Sequence, residues 1–164
     1  MLRKTRREAL VTIAAGFAAR PLGAQLNYEP RTFAADEYEL LGALVDLILP
    51  PTDTPGAREV GVHSMLDEDL AGDGERLGII RGGLASLKER GFLELSAEGQ
   101  VDVLTEYSES TGSQRDFFET LKGLTIDAYY ATEIGLVDEL GYQGNTYLAE
   151  FEGCTHDHAI ERAG

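Results

Sequence analysis

Six apolar residues at helical spacing run up to a proline pair: Leu40, Leu41, Leu44, Val45, Leu47 and Ile48 precede Pro50-Pro51. A period of three to four residues makes one face of a helix apolar. Neither proline can donate a backbone hydrogen bond, so the helix has to stop there. Asp36, Glu37, Glu39 and Asp46 take the early and outer positions, which at the N-terminus suit the helix dipole. Thr52-Asp53-Thr54-Pro55-Gly56 then reads as a turn. The same pattern recurs downstream. Val62, Met65, Leu66 and Leu70 form a second stripe, with Asp67, Glu68 and Asp69 assigned to its outer face and Ala71-Gly72-Asp73-Gly74 ending it. Leu77, Ile80, Leu84 and Leu87 form a third, closed at Gly91. Within it, Gly82-Gly83 lowers helix propensity by about 1 kcal/mol per residue and points to a close crossing or a bend. Ser96 caps a fourth helix with Val101, Leu104 and Tyr107 on its buried face. After a polar loop at 108–113, a fifth helix starts near Gln114 and turns Phe117, Leu121, Leu124 and Ala128 inward. Thr132 caps a short helix through Leu140, closed by Gly141. No run alternates as a half-buried strand would. The expected fold is all-α: a single small helical array of about five helices with an irregular C-terminal arm.

The chain's 164 residues support one compact domain. A net charge of -15 excludes a general nucleic-acid binder, which needs basic stripes, and disfavours docking to anionic lipid. The charge is uneven, because residues 1–24 hold Arg3, Lys4, Arg6, Arg7 and Arg20 against the single acid Glu8. Arg6-Arg7 precede a mild apolar run from Ala9 to Ala19, far short of the roughly twenty residues that cross a bilayer. A basic start, a short apolar stretch and small residues after it describe a signal peptide. Paired arginines specify the twin-arginine (Tat) route, which exports folded proteins. The expected division is therefore a twin-arginine signal peptide at 1–24, cleaved after Ala24, and a helical domain at 25–164. Nothing later in the sequence is long and apolar enough to span a membrane. The expected location is the periplasm, or outside the cell by the twin-arginine route, with any membrane association made through partners.

Seven of the thirteen Phe and Tyr residues lie between Phe117 and Cys154, in a stretch broken by glycines at 123, 135, 141, 144 and 153. Large aromatics supply much of the energy of protein interfaces. Phe118, Tyr129, Tyr130, Tyr142, Tyr147 and Phe151 are accordingly candidate partner contacts, with Glu133 as a hydrogen-bond acceptor; for any one ring, a core position is the competing reading. Signs of catalysis are sparse. Glu133 is a lone carboxylate, and His63, His156 and His158 are too scattered for a Ser-His-Asp arrangement. Asp67-x-Asp69-x-x-Gly72-Asp73-x-Glu75 has a passing likeness to a calcium loop, but Gly78 stands where the closing bidentate carboxylate belongs. Cys154, His156 and His158 alternate as zinc or copper ligands on an extended strand would, within a polar tail near the terminus. No catalytic, cofactor-binding or metal residue is assigned. An odd cysteine in an exported chain points either to an intersubunit disulfide at Cys154 or to an idle thiol.

Several segments in this order resemble the gluconate 2-dehydrogenase subunit 3 family. They are Arg6-Arg7, Leu49-Pro50-Pro51-Thr52-Asp53-Thr54-Pro55-Gly56-Ala57, Phe92-Leu93-Glu94-Leu95-Ser96, Tyr129-Tyr130-Ala131-Thr132-Glu133-Ile134-Gly135, Glu139-Leu140-Gly141-Tyr142 and Phe151-Glu152-Gly153-Cys154. Ala34-Ala35 departs from a capping Thr or Ser and a Pro common in the family, and His63 from a common Pro. The resemblance implies a small, non-catalytic subunit of a periplasmic or membrane-associated sugar dehydrogenase of the gluconate, glucose or glucoside type. It implies a large partner, a flavoprotein of the glucose-methanol-choline (GMC) oxidoreductase type, which holds the FAD and oxidises the sugar, and often a multihaem cytochrome c subunit that takes the electrons. The small subunit then carries the leader, escorting and stabilising a leaderless partner. Two alternatives stay open: a free-standing periplasmic binding module, and a metal-dependent enzyme using Cys154, His156 and His158.

Overall fold

Helix α1 (Ala35–Ile48) begins at Ala34, which has no side chain able to cap it. The Glu37 Oε2 reaches back to accept the Ala34 N–H at 2.9 Å, and the Glu37 N–H itself goes to Asp36 Oδ1 at 3.0 Å. The computed structural model describes residues 28–142. Arg6, Arg7, Tyr147, Phe151, Cys154, His156, His158 and the expected C-terminal arm beyond residue 142 lie outside the described residues. After α1 come α2 (Ala57–Val60), α3 (Val62–Asp69), a 3-10 turn (Leu70–Gly72), α4 (Gly74–Glu89), a second 3-10 turn (Phe92–Glu94), α5 (Ala97–Glu109) and α6 (Ser113–Tyr130). A π-helical segment (Ile134–Glu139) closes the described part. The fold is all-α, with no strand among the described residues, and none of the described helices is long and apolar enough to cross a membrane.

Helix α6 is the central post, in contact with each of the other described α-helices and with the π-helical segment. Its buried stripe is Phe117, Leu121, Thr125, Ala128 and Tyr129. The Thr125 hydroxyl is satisfied within the helix, donating to the Leu121 carbonyl at 2.8 Å. Leu40, Leu41, Leu44 and Val45 of α1 are buried in the same core as Leu66, Ile80, Leu84, Leu87 and Phe92. Two local outcomes differ from expectation. Helix α2 has four residues, too few to show a period, and is held by the Ala57 N–H on the Leu49 carbonyl at 2.9 Å. Val101, expected to be buried, is 51% exposed, while Val103 joins Leu104 and Tyr107 inside. The inner position of that first turn faces the Phe92 carbonyl, and Gln100 fills it by donating from Nε2 at 3.1 Å. An apolar side chain there would leave the carbonyl without that donor.

The glycine pair in α4 marks a close crossing, and α4 remains unbroken. A Cβ on Gly83 would fall 2.0 Å from Cδ2 of Phe117, so the ring rests directly on the α4 backbone. Phe117 in turn meets Tyr107 edge-on at 6.1 Å, and the Tyr107 and Ser86 hydroxyls are 2.8 Å apart. A Cβ on the neighbouring Gly82 would meet nothing within 4 Å. Gly83→Ala should therefore lower unfolding free energy by about 2 kcal/mol through overpacking. Gly82→Ala should be neutral, or stabilising by up to about 1 kcal/mol. Urea melts of the two variants check this pair of outcomes.

Candidate functional site

Asp67, expected on an outer face, is fully buried. Its carboxylate accepts from the Tyr28 hydroxyl at 2.7 Å and from the backbone N–H groups of Arg31 at 2.8 Å, Thr32 at 3.0 Å and Phe33 at 2.9 Å. The Thr32 hydroxyl donates to the Asp67 carbonyl at 2.6 Å. Burial alone would raise the carboxyl pKa, but these donors together outweigh it and hold Asp67 below the usual carboxylate range. Burial, and then the bond to Asp67, push the Tyr28 hydroxyl well up. Arg81 of α4 adds a bond from Nη2 to the Thr32 carbonyl at 2.5 Å and lies over the Phe33 ring. Tyr28 stacks on Tyr38 of α1 with centroids 5.6 Å apart. Residues 28–33 are thus pinned beside the N-terminal end of α1.

The opposite end of α1 leads into the loop at 49–56, where a second polar cluster forms. The Tyr129 hydroxyl donates to the Pro55 carbonyl at 2.9 Å and lies 3.2 Å from Thr54 Oγ1. Glu139 bridges the pieces, accepting from the Tyr130 hydroxyl at 2.9 Å and from the Thr54 hydroxyl at 3.3 Å. That bond to Glu139 is the main cause of the raised Tyr130 pKa. The Tyr129 and Tyr130 rings meet edge-on, with centroids 5.4 Å apart. Helix α1 has 14 residues, so about 21 Å separates its two ends at 1.5 Å per residue.

The π-helical segment is carried on this second cluster. The Thr132 hydroxyl donates to the Tyr129 carbonyl at 2.6 Å and accepts from the Gly135 N–H at 3.1 Å, the capping role expected of it. A Cβ on Gly135 would sit 2.4 Å from the Tyr129 carbonyl oxygen, so only glycine lets the segment lie this close to α6. The Leu140 N–H reaches back five residues to Gly135 at 3.3 Å, giving a wide turn in place of the expected ordinary helix. Val137 is left 43% exposed and Leu140 59% exposed.

Of the candidate partner contacts, Tyr129 is buried in the core, and Phe118 and Tyr130 are half-buried against it. Glu133 and Tyr142 are exposed. Tyr129, Tyr130 and the π-helical segment come together at one end, whereas Phe118 lies roughly 16 Å back along α6. Aromatic content, the signal that marks this stretch, does not single out Val137 and Leu140. The signal for them is an apolar run without an aromatic residue, Leu136, Val137 and Leu140.

His63 is half-buried on α3, its ring 4.8 Å from that of Tyr38, and its Nδ1 is buried with no hydrogen-bond partner. Burial first, and the nearby Arg58 second, drive its pKa down to about 4, against the opposing pull of Glu39 and Asp46. Among the described residues no three His, Cys, Asp or Glu side chains are grouped to hold a metal ion. The disulfide expected at Cys154 is corrected: such a bond joins two cysteines, and the chain has one, so it can form none by itself.

The family model described as gluconate 2-dehydrogenase subunit 3 matches residues 35–146. No curated protein and no solved structure matches the chain.

Asp67→Asn should cost about 2–3 kcal/mol of stability by leaving amide donors of the 31–33 segment unsatisfied. Hydrogen exchange at Arg31, Thr32 and Phe33 should then speed up more than in the α6 core. For His63 the folded pKa of about 4 lies below the ordinary 6.5, so its contribution is complete above pH 6.5 and is lost as pH falls toward 4. Urea midpoints of the wild type should decline through that window, and those of His63→Asn should decline less.

Proposed function

This chain belongs to the gluconate 2-dehydrogenase subunit 3 family, and from that premise we propose that it is the export escort and stabiliser of its flavoprotein partner. Membership makes it a non-catalytic accessory subunit of a dehydrogenase complex, associated with a larger catalytic flavoprotein subunit; the family occurs in periplasmic oxidoreductase complexes. On the proposed reading, residues 1–24 are a twin-arginine leader and residues 25–164 the helical subunit. The partner holds FAD, oxidises a sugar of the gluconate, glucose or glucoside type, and passes electrons to a multihaem cytochrome c.

The observation that supports the reading is that two features sit at opposite ends of α1. The segment that follows the leader is pinned by Asp67 at one end. The exposed apolar residues Val137 and Leu140 stand on the cluster at the other. An escort needs its leader and its cargo surface apart, so that the export machinery can grip one while the partner occupies the other. A route that moves folded proteins needs only one leader per assembly, which suits a small subunit carrying a leaderless partner.

Replacing Arg6 and Arg7 together with lysine should strand the large subunit, with its flavin, in the cytoplasm. Fractionation followed by flavin fluorescence reads the outcome. An unchanged distribution of the large subunit would remove the escort role.

A further inference from the structure

We propose that the π-helical segment Ile134–Glu139 and the turn after it form the docking cap for the large flavoprotein subunit, seated in an apolar recess of that subunit rimmed by lysine and arginine. The inference rests on the escort-and-stabiliser reading and deepens it by naming the surface and the chemistry of its complement.

Three observations carry it. The first is exposure: Val137 and Leu140 are 43% and 59% exposed and lie in the one turn that the Gly141 N–H closes on the Val137 carbonyl at 3.0 Å. The second is support. Gly135 is packed on the Tyr129 carbonyl, Thr132 caps the segment, and Glu139 ties it to Tyr130 and to Thr54 of the 49–56 loop. An apolar group on a base already fixed loses little conformational freedom when it docks, which favours affinity. The third is charge. No lysine or arginine occurs between Lys122 and Arg162, while Glu133, Asp138 and Glu139, in the segment or directly before it, are all exposed.

An apolar centre with a rim of one sign selects a complement with an apolar recess and a rim of the opposite sign. A second copy of this chain would bring carboxylates against carboxylates, so the charge argues against self-association through the cap. The other exposed apolar group, Leu93, Leu95 and Val101, lies on different elements, at the second 3-10 turn and on α5, and serves as the control surface.

The test measures binding of the full chain to the purified FAD-bearing large subunit at about 50 and 500 mM salt, where screening lengths differ severalfold. Leu140→Glu should weaken binding at least about tenfold, as loss of a central anchor does. Asp138→Lys should weaken it at low salt and flatten its salt dependence, whereas Leu93→Glu should leave it within about twofold of wild type. Leu140 is mostly solvated, so an unchanged thermal midpoint should accompany the Leu140→Glu loss; if that variant misfolds, Asp138→Lys carries the test. Wild-type binding by both cap variants overturns the cap while leaving the escort reading to the leader experiment. Self-association of the wild type that Leu140→Glu abolishes, with flavoprotein binding unchanged, also overturns it. A wild-type chain that does not bind the flavoprotein at all sinks both.

Discussion

A carboxylate removed from water destabilises a fold by several kcal/mol unless donors replace its hydration. Asp67 meets that demand with three consecutive backbone amides and a tyrosine hydroxyl, and the geometry of this fan allows one path for residues 28–33. The path sets where α1 begins. Ala34 offers no side-chain cap, so the start of α1 is held instead by Glu37 on the Ala34 N–H and by the clamp upstream of it. Once α1 starts there, Leu40, Leu41, Leu44 and Val45 face the central post α6, and the loop at Pro50 and Pro51 returns to meet Tyr129. One ionised side chain on a short helix thereby sets the start of the helix whose far end meets α6 across 74 residues.

The long helices are legible in the sequence because their apolar residues repeat with the helix period and their boundaries carry chemical punctuation. Pro50-Pro51, Gly91 and Ser96 each stop or start an element where the backbone needs it. Gly82-Gly83 announces a crossing, although only the structure shows that Phe117 fills the space above Gly83. What stays hidden has a common cause. Asp67 looks solvated beside Glu68 and Asp69 because its partners are backbone amides 34 to 36 positions away, and amides are the same in every sequence. Gln100 looks like a surface residue because the carbonyl it serves leaves no mark on residue choice. The π-helical turn depends on a contact between Gly135 and a carbonyl oxygen, which is equally silent.

The candidate site is legible as a region and less so as a set of residues. Aromatic density draws attention to the stretch after Phe117, within which the proposed docking surface lies. Within it, Tyr129 is absorbed by the core and by the Pro55 carbonyl, and Tyr130 by Glu139. The tyrosines build the pedestal, and two aliphatic residues stand on top of it. Ring size alone does not separate these roles, because a large amphipathic side chain is as useful beneath a surface as upon it.

A helix resists stretching. With α1 as the strut, the attachment point of the N-terminal segment and the cap stay a fixed span apart, whatever happens beyond either. On the escort reading the two ends must then work in cis. A lesion at one end cannot be rescued by a second molecule damaged only at the other, because the cargo held by one would still lack the address carried by its neighbour. Severing the chain ahead of Tyr28 after transit, by contrast, would leave the grip on the cargo unaltered.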